Sequence, residues 1–246
     1  MEMVYRKQFH LTDLHVDPHR RLKPAVLLYF AQEVATDHAA MLGTDWETLS
    51  SKQLFWAVIR HKVQITRLPT AGETITVETW PVPTTRVAYP RATVAYDAQG
   101  RELFRTLALW VLMDTKTRAM VLPGKSGVEV LGVVRGLEAA TPGSIMPGHF
   151  ENTVSHRVDY TLLDRNGHMN NTRYLDWVDD LLPSAFHEAH PAKEITVCYL
   201  SEALEGQQLE LSWTLSDEGM LRVETSREKP ENPAQRERVF AAQVQF

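Results

Sequence analysis

The stretch PAVLLYFAQEVATDHAAMLG, residues 24–43, decides the fold. Pro24 sits where a first-turn proline is tolerated, because the amide it lacks would have no partner inside a helix. Leu27, Phe30 or Ala31, Val34 and Met41 then recur at helical spacing, and Gly43 fits a C-terminal stop. From Ala25 to Ala31 the helix is apolar nearly all round, which predicts burial on more than one face. Such a helix needs a surface that curls about it, and the flanking sequence supplies strands. Tyr5 to Thr12 reads as one before the helix. Leu54 to Thr66, Thr74 to Trp80, Val87 to Tyr96 and Leu103 to Met113 follow it. Ile75, Val77 and Thr79 share one face of their strand. The last two strands are joined by Asp97-Ala98-Gln99-Gly100, a good hairpin turn.

The order then repeats. Residues 123–148 hold nine of the 25 glycines and prolines, a composition that resists continuous helix or central strand and suits a surface connection. Its apolar pieces, Val128 to Leu131 and Val133 to Val134, predict that part of it packs. Beyond it Val154 to Tyr160 reads as a strand and Thr172 to Leu182 as a helix stopped by Pro183. Strands follow at Glu194 to Leu200, Gln208 to Leu215, Met220 to Thr225 and Arg238 to Phe246. Gly72 and Gly206 each precede an alternating strand that runs to a tryptophan, Trp80 or Trp213. A period of about 145 residues is far longer than solenoid repeats and marks a duplicated domain. The expected fold class is α+β, two similar antiparallel-sheet domains at 1–122 and 149–246 with a linker at 123–148.

Composition excludes several classes. With 26 Lys+Arg against 31 Asp+Glu, the net charge of -5 argues against a nucleic-acid binder. The one cysteine, Cys198, forms no internal disulfide framework and no multi-Cys zinc site. The opening MEMVYRKQFHLTD has no apolar stretch behind its charges, unlike a secretory signal. No apolar run reaches the roughly 18 residues that a membrane span needs. His15 with His19, and His187 with His190, have helix-compatible spacing but no third ligand nearby, so no metal is expected. These readings predict a cytoplasmic enzyme or small-molecule binder.

The densest chemistry lies between the first strand and the helix of the second half, in Leu163-Asp164-Arg165-Asn166-Gly167-His168-Met169-Asn170-Asn171-Thr172. Asp164, Asn166 and His168 are spaced two apart, so an extended loop would put them on one side. Asn170 and Asn171 are natural N-cap residues, and free amides at the helix start would suit a developing oxyanion. The same composition also serves turns and caps in many loops without any catalysis. The matching loop of the first half, Asp17-Pro18-His19-Arg20-Arg21-Leu22-Lys23, keeps an acid and a histidine but no asparagine. That asymmetry favours one active and one modified copy.

The block LDRNGHMNNTRYLDWVDDLLP, residues 163–183, resembles the acyl-acyl carrier protein thioesterase family, whose pattern is D-x-N-x-H-x-N-N-x-x-Y. Trp56 to Arg60, Thr79-Trp80 and Leu109 to Asp114 extend the resemblance over most of the chain. It implies two tandem hot-dog domains, each a helix wrapped by an antiparallel sheet, and hydrolysis of fatty acyl-acyl carrier protein without a cofactor. It also implies catalytic roles for Asp164, Asn166 and His168. Tyr199 to Ala203 resembles the segment that brings an acid to the site, here Glu202. Plant members carry a cysteine after that acid, where this chain has Ala203, and Cys198 is expected to be a buried, inert thiol. With no G-x-S-x-G elbow and no suitable cysteine, water is expected to attack the thioester. Glu202 and His168 are the two candidates for the base, with Asp164 orienting or sharing the proton and Asn166 holding water or the carbonyl oxygen.

The family implies that the first domain supplies most of the acyl pocket, with Leu28, Ala31, Ala35 and Trp56 as candidate lining. The implied partner, acyl carrier protein, is acidic. Arg20, Arg21 and Lys23, with Arg165 and Arg173 beside the proposed site, could meet it. An acyl-coenzyme A hydrolase and a non-catalytic acyl-binding protein stay open as alternatives, as does a homodimer.

Overall fold

The computed structural model describes residues 3–229 and 232–246. The chain divides into two compact units, Met1–Pro142 and Gly143–Phe246, the division falling inside the glycine- and proline-rich connection.

In the first unit a helix α1 (Pro24–Met41) lies where its apolar spacing placed it, with Pro24 in its first turn and Gly43 at φ 67° just beyond its end. Strands β1 (Tyr5–His10), β2 (Leu54–Ile65), β3 (Thr74–Pro81), β4 (Tyr89–Tyr96) and β5 (Glu102–Asp114) form an antiparallel sheet in the order β1-β3-β4-β5-β2. The short β6 (Met120–Val121) pairs with β5. Alternate residues of β1 seat the helix: Phe9 stacks on Phe30 at 4.2 Å, and Lys7 pairs with Glu33 and Asp37 at 2.7 and 2.8 Å. Leu27, Leu28, Phe30, Ala31 and Val34 are all buried, as expected for a helix that is apolar on several faces. Burial of a side chain such as Phe30 contributes about 1.5–3 kcal/mol. A short helix α2 (Trp46–Ser51), capped by Asp45 accepting from the Thr48 amide at 2.8 Å, was not foreseen.

The second unit repeats the plan with a shorter helix. Its sheet runs β7 (Asn152–Arg157), β9 (Gln208–Leu215), β10 (Met220–Lys229), β11 (Asn232–Gln245) and β8 (Glu194–Tyr199), again antiparallel. The segment read as a helix over 172–182 is helical only in α4 (Arg173–Asp179). A second piece, α5 (Ser184–Ala189), starts directly after Pro183. Proline lacks the amide that would continue the first helix and favours the extended backbone it shows as the cap of the second (ψ 155°). Strand β7 stops at Arg157, before Tyr160, which enters a 3₁₀ turn. Strands β10 and β11 extend well past their apolar portions, with a register shift after Thr225.

Part of the connection is packed. After α3 (Pro123–Ser126), Val128 joins a cluster with Leu49, Leu54, Tyr89 and Leu112. Ala139 packs on Trp80, Ala92, Val94 and Leu107. Trp80 is fully buried, and its indole N–H donates to Glu138 at 3.0 Å while the Arg135 guanidinium lies 4.5 Å from its ring centre. In the second unit Ile145 packs on Cys198 and Ala241.

Candidate active site

The loop from Leu163 to Thr172 is a tight turn, so the extended arrangement expected from its spacing is corrected. Leu163 bridges Met169, the Asp164 amide donates to the His168 carbonyl at 2.7 Å, and Gly167 takes φ 79° between them. Only glycine adopts that backbone at no steric cost. The Asp164 carboxylate works inside this turn. One oxygen accepts from the amides of Asn166 and His168 at 2.8 and 3.3 Å, and the other from the Asn166 side chain at 3.3 Å. Asp164 therefore holds His168 through its main-chain amide.

Two of the helix-start amides, those of Thr172 and Arg173, are also committed. Asn170 Oδ1 accepts from both the amide and the hydroxyl of Thr172, at 2.9 and 2.8 Å, and the Arg173 amide donates to the Asn170 carbonyl. The oxyanion role suggested for these amides has no donors left in Thr172 and Arg173.

His168 and Glu202 do come together. The loop backbone is tied to the 203–204 segment: the Met169 amide donates to the Ala203 carbonyl at 2.8 Å, and His168 bridges Leu204. This places His168 Nε2 3.5 Å from Glu202 Oε2. The imidazole side chain is 16% exposed and the carboxylate 39%, so the pair is sheltered on the histidine side and open on the glutamate side. Asn166 is exposed in the same turn as His168, with Oδ1 and one amide hydrogen beyond its bond to Asp164. Behind the loop Tyr174 stacks on Phe240 at 4.6 Å, and Tyr199 donates its hydroxyl to the Asn171 carbonyl at 2.9 Å. Burial pushes the ionisation of both phenols far up, so they act as neutral packing and tethering groups. Cys198 is buried, its thiol pointing to the Gly143 carbonyl at 3.6 Å.

The first unit contains the same turn without the same chemistry. The Asp17 amide donates to the Arg21 carbonyl, the Arg21 amide to Asp17 Oδ1 at 2.9 Å, and Arg21 bridges Thr70 as His168 bridges Leu204. By this register Arg21 occupies the place of His168 and His19 that of Asn166. Arg20, at φ 63°, replaces Gly167, and Leu68 stands where the second unit has Glu202. The retained histidine is thus at the asparagine position, and no acid faces it from the 68 position. Leu28, Ala31 and Ala35 are buried on α1, and Trp56 is partly buried with its N–H donated to the Thr44 carbonyl at 2.9 Å.

Sequence reasoning missed Arg227. It lies beyond Thr225, where the apolar alternation of β10 ends, yet its guanidinium reaches into the segment that carries Glu202. The available signal was the hairpin register, which sets Arg227 opposite Glu237.

Residues 2–122 match the acyl-ACP thioesterase N-terminal domain family, and residues 149–239 the acyl-ACP thioesterase C-terminal domain family. A chloroplastic dodecanoyl-acyl-carrier-protein hydrolase of Cinnamomum camphora is 27% identical over 234 residues, covering 87% of this chain and 60% of that protein. A chloroplastic palmitoyl-acyl carrier protein thioesterase of Gossypium hirsutum is 24% identical over 87% of this chain and 56% of its own length. The chain thus spans about 60% of the length of such relatives. Among solved structures, an acyl-ACP thioesterase from Bacteroides thetaiotaomicron superposes with a TM-score of 0.80 at 23% identity, covering 99% of this chain and 98% of that one. The 12:0-ACP thioesterase of Umbellularia californica gives 0.81 at 23% identity, covering 100% and 97%. Both likenesses establish the fold, two hot-dog units in tandem.

Proposed function

Because this chain belongs to the acyl-ACP thioesterase family, we propose that it hydrolyses the thioester of fatty acyl-acyl carrier protein, releasing a free fatty acid. The observation that carries the reading is the pairing of His168 Nε2 with Glu202 Oε2 at 3.5 Å, sheltered on one side and open on the other.

In this reading a water molecule attacks the carbonyl carbon while its proton passes to the His168–Glu202 pair. The C–S bond then breaks, and the departing thiolate of the carrier's prosthetic arm takes that proton back. No covalent acyl-enzyme is needed, which agrees with a buried Cys198 and with Ala203 following the acid. Asn166 is assigned to the carbonyl oxygen or the attacking water, since the residue is exposed and its amide keeps one hydrogen and Oδ1 beyond its bond to Asp164. Asp164 keeps the turn in shape. Acyl carrier protein is assigned to the face bearing Arg165 and Arg173, both exposed beside the loop.

The test is release of free thiol from acyl carrier protein charged with chains of different length, beside the matching coenzyme A esters. Preferential release from the carrier protein supports the reading, and release only from coenzyme A esters moves the substrate to that carrier. His168→Ala and Glu202→Ala are each expected to lower kcat by about 100-fold or more while acyl carrier protein still binds. Full activity in both variants overturns the assignment.

A further inference from the structure

The acid of the proposed dyad sits on irregular chain. Between the end of β8 at Tyr199 and the start of β9 at Gln208, residues 200–207 belong to no strand or helix. A carboxylate on such a segment keeps a 3.5 Å approach to His168 only if its own backbone is held. The Met169 amide grips the Ala203 carbonyl from one side. From the other side the Leu200 and Ser201 amides donate to the Val239 carbonyl at 2.8 and 3.1 Å, and the side chains and the Glu202 carbonyl are gathered by one guanidinium.

Arg227 uses all five of its N–H donors there. Nη1 donates to the Glu202 carbonyl and to Gln207 Oε1, both at 2.6 Å. Nη2 donates to Ser201 Oγ at 3.0 Å and to Glu237 Oε2 at 2.9 Å, and Nε donates to the same carboxylate oxygen at 3.1 Å. The side chain is only 14% exposed, so these bonds compete weakly with water. Gln207 passes the restraint on, since its Oε1 also accepts from the Leu204 amide at 2.9 Å, and Leu204 is the residue that bridges His168. One guanidinium therefore fixes Ser201, Glu202 and Gln207 against β10, with Glu237 across the hairpin balancing its charge.

We propose that Arg227 is a positioning residue for Glu202, holding the acid at its distance from His168 through the Glu202 carbonyl and the Ser201 and Gln207 side chains. The proposal rests on the role given to Glu202 above. Lysine cannot replace it, because an ammonium has three donors and no planar fork to serve four acceptor atoms at once.

A double-mutant cycle on the full chain tests this, with acyl-acyl carrier protein as substrate and thermal unfolding as the control for folding. Arg227→Met is expected to lower kcat by about 10- to 100-fold, the loss typical of a small misplacement of a reacting group, while KM changes by less than about 3-fold. Arg227→Lys is expected to recover little of it. In a Glu202→Gln background the same substitution is expected to cost less than about 3-fold, because the group it positions is already disabled. Should Arg227→Met fold poorly, Gln207→Leu removes one tether alone and is expected to show a smaller loss of the same kind. Wild-type kcat in Arg227→Met, a loss that appears in KM as much as in kcat, or an equal loss in both backgrounds overturns the proposal. Full activity of Glu202→Gln would instead remove the reading on which it rests, and the same cycle shows that separately.

Discussion

Asp164 gives its carboxylate to the amides of Asn166 and His168 and to the Asn166 side chain, so its work is that of an acceptor inside a turn. Asparagine keeps an acceptor oxygen at the same place, whereas alanine leaves two amides without their partner, at about 1–3 kcal/mol for each that stays buried. Asp164→Asn is therefore expected to keep kcat within about 10-fold of the wild type, and Asp164→Ala to lose about 100-fold through a displaced His168. Equal losses in the two variants would show that the negative charge itself is required. The residues of this candidate site were picked out through the resemblance of the 163–183 and 199–203 segments to a family pattern, since the D-x-N-x-H spacing alone also suits a capped loop. Their division of labour was not legible in the sequence. An alternating spacing suggests three side chains on one side, but Gly167 at φ 79° folds the segment so that Asp164 addresses the backbone. Arg227 was hidden for a different reason: its partners Ser201, Glu202 and Gln207 are 20 to 26 residues away, and no local pattern reports them.

Elements announced themselves where apolar periodicity was strong and faded where it was not. Helix α1 and strands β2 to β5 follow the sequence within a few residues, because each buries one face or more. The apolar pattern ends both strands short of the polar outer half of the β10–β11 hairpin. Its backbone pairing continues from Ser226 to Lys229 without apolar residues, supported by Arg227–Glu237 and Arg236–Ser226 contacts. Strand β2 carries a feature with a measurable effect. His61 is 5% exposed, its Nε2 is buried with no hydrogen-bond partner among the described residues, and burial depresses its ionisation to about 4. The folded state thus holds the ring neutral while the unfolded chain takes up a proton below about pH 6.5. The sign follows from proton uptake: stability is full above pH 6.5 and falls as the pH drops toward 4, by roughly 3 kcal/mol over the whole interval. His61→Phe is expected to keep neutral-pH stability and to flatten that part of the slope, as measured by urea unfolding between pH 7 and 4. An unchanged slope would mean that the ring is protonated in the folded protein.

At the scale of the whole molecule the duplication separates scaffold from chemistry. Both units keep the aspartate turn, the sheet order and the bridge to the following segment, while at equivalent positions the second sets an acid beside a histidine and the first has Leu68 and Arg21. A feature shared by both copies serves the fold, and one confined to the second is the better candidate for catalysis. The connection after the first unit belongs to the scaffold for another reason, since its apolar residues pack into the first unit's core clusters. It was legible as a glycine- and proline-rich segment, but which glycine matters was not, since that depends on what lies beneath it. A Cβ on Gly132 would stand 2.3 Å from the Val82 carbonyl carbon and 2.4 Å from the Pro83 nitrogen, both main-chain atoms that no side-chain rotation can clear. The neighbouring Val133 amide donates to the Pro81 carbonyl at 2.9 Å, and Val133 packs on the Trp80 cluster. Gly132→Ala must therefore lift the segment from β3 or shift residues 82–83, at about 1–3 kcal/mol. The expected outcome is a Tm lower by several degrees with kcat for thiol release unchanged at 25 °C, because the dyad and its tethers all lie in the second unit. Gly124→Ala, where a Cβ meets nothing within 4 Å, is the matched control and should leave Tm within a degree or so. A fall in kcat without a fall in Tm would show instead that this part of the connection bears on the chemistry.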